Sequence, residues 1–416
     1  MKKIFLCALI FSFGILCAQT PVNDSVSLGA NYTKMSFYSL PDGETANVNA
    51  KDWDLQFWTS LMDASIRTND GAGVLLYRLQ NDDTTAWMSV DTSGMTRLYN
   101  SDTTWAIGAF NALSAGIFDY GWGDYCNCPT HDVNGKRIFV IKTITGNYKK
   151  IWVRILGFGD TYEIRIGNLD NSGEITVSLS KSAYPGKDFF YYAIDSAQVK
   201  DTEPQKTSWD ILFRRYQSYI SFPPPAQYYT VMGVLSNPAV PVAEARGVDA
   251  SNNDTTGFAF DDNISVIGSD WKQFNQATSQ YDFVDSLAYF VAAQDGNIYK
   301  IVFTGFGGSP TGKVFFTKTQ VYQSSTGIEE SNIHSLAVYP NPASGNIQAL
   351  FTLQKESEVT IRVLDLSGKS HFSIQTKALS GLNSLTLNLE DLAGGFYLLS
   401  VEDGNNKLTY KLVKHN

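Results

Sequence analysis

Two stretches of the chain repeat one another in order. Trp53-Asp54-Leu55-Gln56-Phe57 is echoed 156 residues later by Trp209-Asp210-Ile211-Leu212-Phe213. Trp122 with Tyr125 and Asn127 is matched by Trp271 with Phe274 and Asn275, at an offset of 148 to 149. Gly146-Asn147 is answered by Gly296-Asn297 at an offset of 150, and Gly157-Phe158-Gly159 by Gly305-Phe306-Gly307. Four marks in one order at nearly one offset define a duplicated unit. Solenoids and propellers repeat every 20–50 residues, so a period this long means tandem globular domains, each large enough for a core of its own.

The pattern inside each unit is that of strands. Arg137–Ile141, Ile151–Ile155, Tyr162–Ile166 and Ile175–Leu179 are rich in β-branched and aromatic residues, several alternating with period two. Asp42-Gly43, Asn134-Gly135 and Asp295-Gly296 supply the turns between such runs. Helical spacing is nowhere sustained over ten positions. The expected fold is all-β: two tandem domains over 19–183 and 184–323, with the seam near Tyr184-Pro185-Gly186. A small, polar, acidic linker over 324–332 follows, then a third domain over 333–416.

The ends of the chain fix its compartment. Lys2 and Lys3 precede an apolar run from Ile4 to Leu16 that stops near Ala18, the order of a secretory signal peptide over 1–18. That run is too short to span a bilayer, and no later stretch supplies a transmembrane segment. Cleavage removes two lysines and no acid, so the formal charge of −9 becomes −11. An acidic chain without a basic cluster is a poor partner for nucleic acid. Two of the four cysteines leave with the leader, so disulfides do not form the scaffold.

The last segment carries a specific set of marks. Tyr339-Pro340-Asn341-Pro342, Asp365-Leu366-Ser367-Gly368, Leu392-Ala-Gly-Gly-Phe-Tyr397 and a basic end over Lys411–Lys414 occur in that order. Together they resemble the type A sorting domain of type IX secretion cargo. Six or seven short strands in so few residues suit a small Ig-like β-sandwich. The resemblance implies contact with the type IX secretion machinery and passage to the extracellular space or the outer-membrane surface. It also implies removal of this domain, with attachment of the mature protein to surface polysaccharide in many cases.

The body has a resemblance of its own. Trp-Asp-(Leu/Ile)-x-Phe, a later Gly-Asn turn, a Tyr-Lys strand and a Gly-Phe-Gly end resemble the HmuY family of β-rich haem-binding proteins, over most of 30–182 and more weakly over 186–320. Such proteins hold haem iron between two side chains, histidine or methionine. His131 is the only histidine of the body and stands where the resemblance implies one ligand, ahead of the Arg137–Ile141 strand. Met95 is the nearest candidate for the second, 36 residues earlier, with Met88 as runner-up. The second unit holds no histidine and one methionine, Met232, so at most one haem per chain is expected.

Cys126-Asn-Cys128-Pro-Thr-His131 also brings two thiols and an imidazole together, a soft donor set for zinc or copper that competes for His131. In an oxidising compartment a local disulfide is the commoner outcome. Asn168-Leu-Asp170-Asn-Ser172-Gly173 resembles the start of a calcium loop, but the twelfth position is Leu179, which offers no oxygen, so a turn is expected. No nucleophile constellation accompanies His131. The reading is an exported, non-enzymatic cargo protein. Its body captures haem or a haemoprotein, or else serves as a surface interaction module for a glycan or protein.

Overall fold

The computed structural model describes residues 20–416 apart from 61–62, 117, 127–128, 222–224, 248, 250–252, 323–331, 366–367, 405 and 416. The expected leader over 1–18, most of the linker and Cys128 therefore lie outside the described residues. The chain is mainly β, with antiparallel pairing throughout its sheets.

One sandwich is contiguous from residue 50 to residue 206. Its eight-stranded sheet runs in the order Ile175–Ser180, Thr161–Asn168, Tyr148–Gly157, Phe139–Lys142, Leu75–Arg78, Thr96–Leu98, with Gly123–Tyr125 and Val133–Gly135 attached beside it. The facing four-stranded sheet is Gln198–Lys200, Phe189–Ala193, Leu55–Trp58, Ile66–Thr68. The period-two alternation explains which residues meet between them. Leu55, Phe57, Phe190 and Tyr192 from one sheet and Leu76, Ile141, Ile151, Val153 and Ile164 from the other form one closed core.

A second sandwich pairs a five-stranded sheet (Val22–Ser27, Lys313–Tyr322, Ile298–Phe306, Leu287–Ala292, Val242–Arg246) with a four-stranded one (Gln227–Ser236, Ile211–Ile220, Lys34–Ser39, Gly43–Asn49). Val26, Tyr38, Phe213, Val242, Tyr289 and Phe316 lie in its core. Its strands come from both sides of the first: 22–49 and the stretch after 207. The strands thus group into two sandwiches whose limits differ from the expected contiguous 19–183 and 184–323. A repeat fixes a period and leaves open where each copy closes. Here Phe189–Ala193 completes the first sandwich, and Lys34–Ser39 completes the second.

The repeated Trp-Asp pair does the same job in both. Asp54 accepts hydrogen bonds from the backbone N–H of Ile144 (2.6 Å) and Ile194 (2.7 Å). Asp210 accepts from Gln294 (2.8 Å) and Leu40 (2.7 Å). Each carboxylate thus ties its own strand to a Gly-Asn turn on the opposite sheet and to the end of a neighbouring strand.

The C-terminal segment forms a seven-stranded sandwich. A three-stranded sheet (Ile333–Tyr339, Asn346–Leu353, Gly381–Asn388) covers a four-stranded one (Ser370–Ala378, Ser357–Asp365, Gly395–Asp403, Asn406–Lys414). Ile347, Phe351, Val359, Ile361, Leu399 and Val401 fill it. Pro340 and Pro342 sit just beyond the first strand, where no ladder donor is required. Between them Asn341 donates to Lys411 O (2.8 Å) and accepts from Val413 N–H (2.7 Å), which binds the proline turn to the last strand.

Candidate functional site

The strand Tyr148–Gly157 serves as a ruler for the expected haem ligands. Near its end, Leu156 pairs with Val133, so His131 lies beyond that end. Towards its middle, Ile151 pairs with Phe139, Phe139 with Arg78, and Arg78 with Thr96. Met95, one residue before Thr96, is thus level with about Trp152 and two strands further across the sheet. With a rise of about 3.3 Å per residue and strands about 4.8 Å apart, His131 and Met95 are separated by roughly 20 Å. Two axial donors must meet one iron atom, so this pair does not fit a haem.

Met95 packs instead with Leu79, Trp87, Ile138 and Val140. Met88 fares no better. Its carbonyl accepts from Asn171 Nδ2 (3.1 Å), and the neighbouring Trp87 carbonyl accepts from Lys150 Nζ (2.6 Å), which places it at the start of the ruler strand. Its side chain is 62% exposed.

His131 has a left-handed backbone, φ 50°. Its Nδ1 and the Tyr125 hydroxyl are 2.7 Å apart, and the two rings stack at 6.1 Å. Tyr339 meets the imidazole edge-on at 5.1 Å. A cavity of about 320 Å³ lies here, lined by His131, Phe158, Gly159, Tyr339, Gln348, Leu350, Leu382 and Ser384. Most of its wall comes from the C-terminal sandwich, so the body alone does not form it.

Cys126 is held in a disulfide and has no thiolate to give to zinc or copper, while Cys128 lies outside the described residues. Among the described residues no three of His, Cys, Asp and Glu gather as a metal site. The Asn168–Gly173 segment is a turn: Asp170 Oδ1 accepts from Ser172 N–H (2.9 Å) and Oγ (2.6 Å). Those hydrogen bonds hold the Asp170 carboxyl below its ordinary range.

A feature that sequence reasoning missed starts on the outer face of the large sheet and runs on to the strands Ile211–Ile220 and Gln227–Ser236. Tyr77 is paired with Val140 and with Arg97, and Lys142 with Tyr148, so all five share one face. Tyr77 and Tyr148 tilt against each other at 6.5 Å, and the Arg97 guanidinium lies 4.4 Å over the Tyr99 ring. Tyr99 stacks on Tyr228 at 3.6 Å with planes 6° apart, and Tyr228 meets Tyr219 edge-on at 5.2 Å. Tyr148, Tyr219, Tyr228 and Tyr229 are all exposed. Burial and neighbouring phenols push the Tyr77 hydroxyl up from its ordinary value, and burial together with Asp102 does the same at Tyr228. Both therefore stay neutral donors at physiological pH. The sequence signal was Tyr77-Arg78 and Thr96-Arg97 on adjacent strands, but the rings come from four separated stretches of chain.

Against known families, residues 337–415 match the secretion system C-terminal sorting domain. No curated protein matches the chain. Among solved structures, dimeric latent PorU from Porphyromonas gingivalis aligns at 10% identity and a TM-score of 0.19, covering 95% of this chain and 34% of that one. At that score the likeness says nothing about the fold.

Proposed function

We propose that the body of this chain, an exported cargo carrying a secretion sorting domain over residues 337–415, is a non-enzymatic surface interaction module. The sorting domain accounts for delivery to the cell surface or beyond by the type IX machinery, and the function rests on the residues before it. The observation that carries this reading is the row of tyrosines Tyr148, Tyr77, Tyr99, Tyr228 and Tyr219, linked between Tyr77 and Tyr99 by Arg97, with Tyr148, Tyr219 and Tyr228 exposed. Tyrosine offers a large, rigid, amphipathic contact area at small entropic cost, and that suits recognition more than core packing. The separation of His131 from Met95 and Met88 counts against haem capture through the expected pair.

The test is an absorption titration of the purified protein with hemin, comparing the parent chain with His131→Ala. The expected result is a spectrum equal to free hemin in both. A Soret band that His131→Ala abolishes would return the body to haem capture.

A further inference from the structure

The charges around the ladder say what it would bind. The molecule is acidic, with a formal net charge of −9, and most of its arginines have carboxylate partners. On the outer face, by contrast, Lys142 and Arg97 have no ion pair among the described residues. The Arg97 guanidinium lies over the Tyr99 ring and acts electrostatically on the Tyr77 phenol. Register gives the order Tyr148, Lys142, Tyr77, Arg97 over four adjacent strands, so positive charge without an ion pair among the described residues alternates with phenol rings.

We propose that this face binds an acidic polysaccharide, with Tyr148, Tyr77 and Tyr219 receiving the sugar rings and Arg97 and Lys142 receiving carboxylates. The inference rests on the interaction-module reading and deepens it. Sugar rings present C–H faces that pack on aromatic rings, and their hydroxyls reach the phenols at the rim. A uronate carboxylate accepts two parallel N–H bonds from a guanidinium fork, and that pair carries the specificity. An aliphatic partner surface fits less well, because the ladder has hydroxyls at every step. A neutral glycan would leave both cations unpaired.

The experiment is native affinity electrophoresis of the full chain through gels containing alginate, a neutral β-glucan or DNA. Arg97→Gln, Lys142→Ala, Tyr148→Ala and the Arg97→Gln/Lys142→Ala pair are run beside it, with circular dichroism to show that each is folded. Lys142 and Tyr148 are surface positions, so at least these two variants report on binding. The expected result is retardation by alginate that weakens about tenfold or more in the double variant and falls as salt rises towards about 1 M. No retardation by alginate, or equal retardation of every folded variant, overturns the proposal. Retardation by β-glucan alone overturns the acidic class, and equal retardation by DNA reduces the face to a non-specific anion binder. A negative result here together with a negative hemin titration removes the polysaccharide and leaves the interaction module. A His131-dependent Soret band removes that reading whatever the gels show.

Discussion

Asp54 and Asp210 show how a repeated dipeptide earns its place. Each carboxylate is buried and satisfies two backbone N–H groups that would otherwise be orphaned. Burial pushes Asp210 up to about 6, against the pull of its two N–H donors. The folded state therefore holds this proton between about pH 4 and about pH 6 while the unfolded chain has released it. The stability from Asp210 is full below about pH 4 and falls as pH rises through about 6, by about 3 kcal/mol. Asparagine cannot titrate, and its NH2 would oppose one of the two N–H donors. Asp210→Asn is expected to destabilise the protein at every pH, and by a larger margin at pH 4 than at pH 7. Urea unfolding at the two pH values measures that margin; an equal margin at both would refute the account. At this scale the sequence was informative about the Trp-Asp marks and silent about what they bind, because Leu40 and Gln294 lie in turns remote along the chain.

At the scale of elements, the chain's alternation made the strands legible, and Tyr339-Pro-Asn-Pro342 made the first turn of the sorting domain legible. The phase of the duplication was hidden. Lys34–Ser39 and Phe189–Ala193 are equivalent strands with similar aromatic content, and nothing local says which sandwich either will join. The inserted arrangement makes a sharp prediction. Residues 50–206 contain every strand of the first sandwich and should fold alone, with a cooperative urea transition and a native tryptophan spectrum. Residues 207–322 should not, because Val26, Leu28, Met35, Phe37, Tyr38 and Leu40 would be missing from their core. At about 1.5–3 kcal/mol for each buried side chain, that loss is comparable with the whole stability of a domain. A cooperative transition from 207–322 alone would contradict the topology. The tyrosine ladder and the distance from His131 to Met95 were hidden for the same reason, since both depend on register between strands rather than on spacing along the chain.

For the whole molecule, delivery and binding are divided between parts. Removing residues 333–416 should leave the body folded but retained inside the outer membrane. Immunoblots of periplasm, cell surface and medium check this, and undiminished release into the medium would refute it. Lost export with intact folding is what a separately folded sorting sandwich requires. In the proposed division, binding falls to the outer tyrosine face and not to the loop around His131. Hydrogen–deuterium exchange of the full protein with and without alginate tests it most directly. Protection is expected in Leu75–Arg78, Thr96–Leu98, Phe139–Lys142, Ile211–Ile220 and Gln227–Ser236. Protection confined to 125–131 and 157–159, or none anywhere, would contradict it.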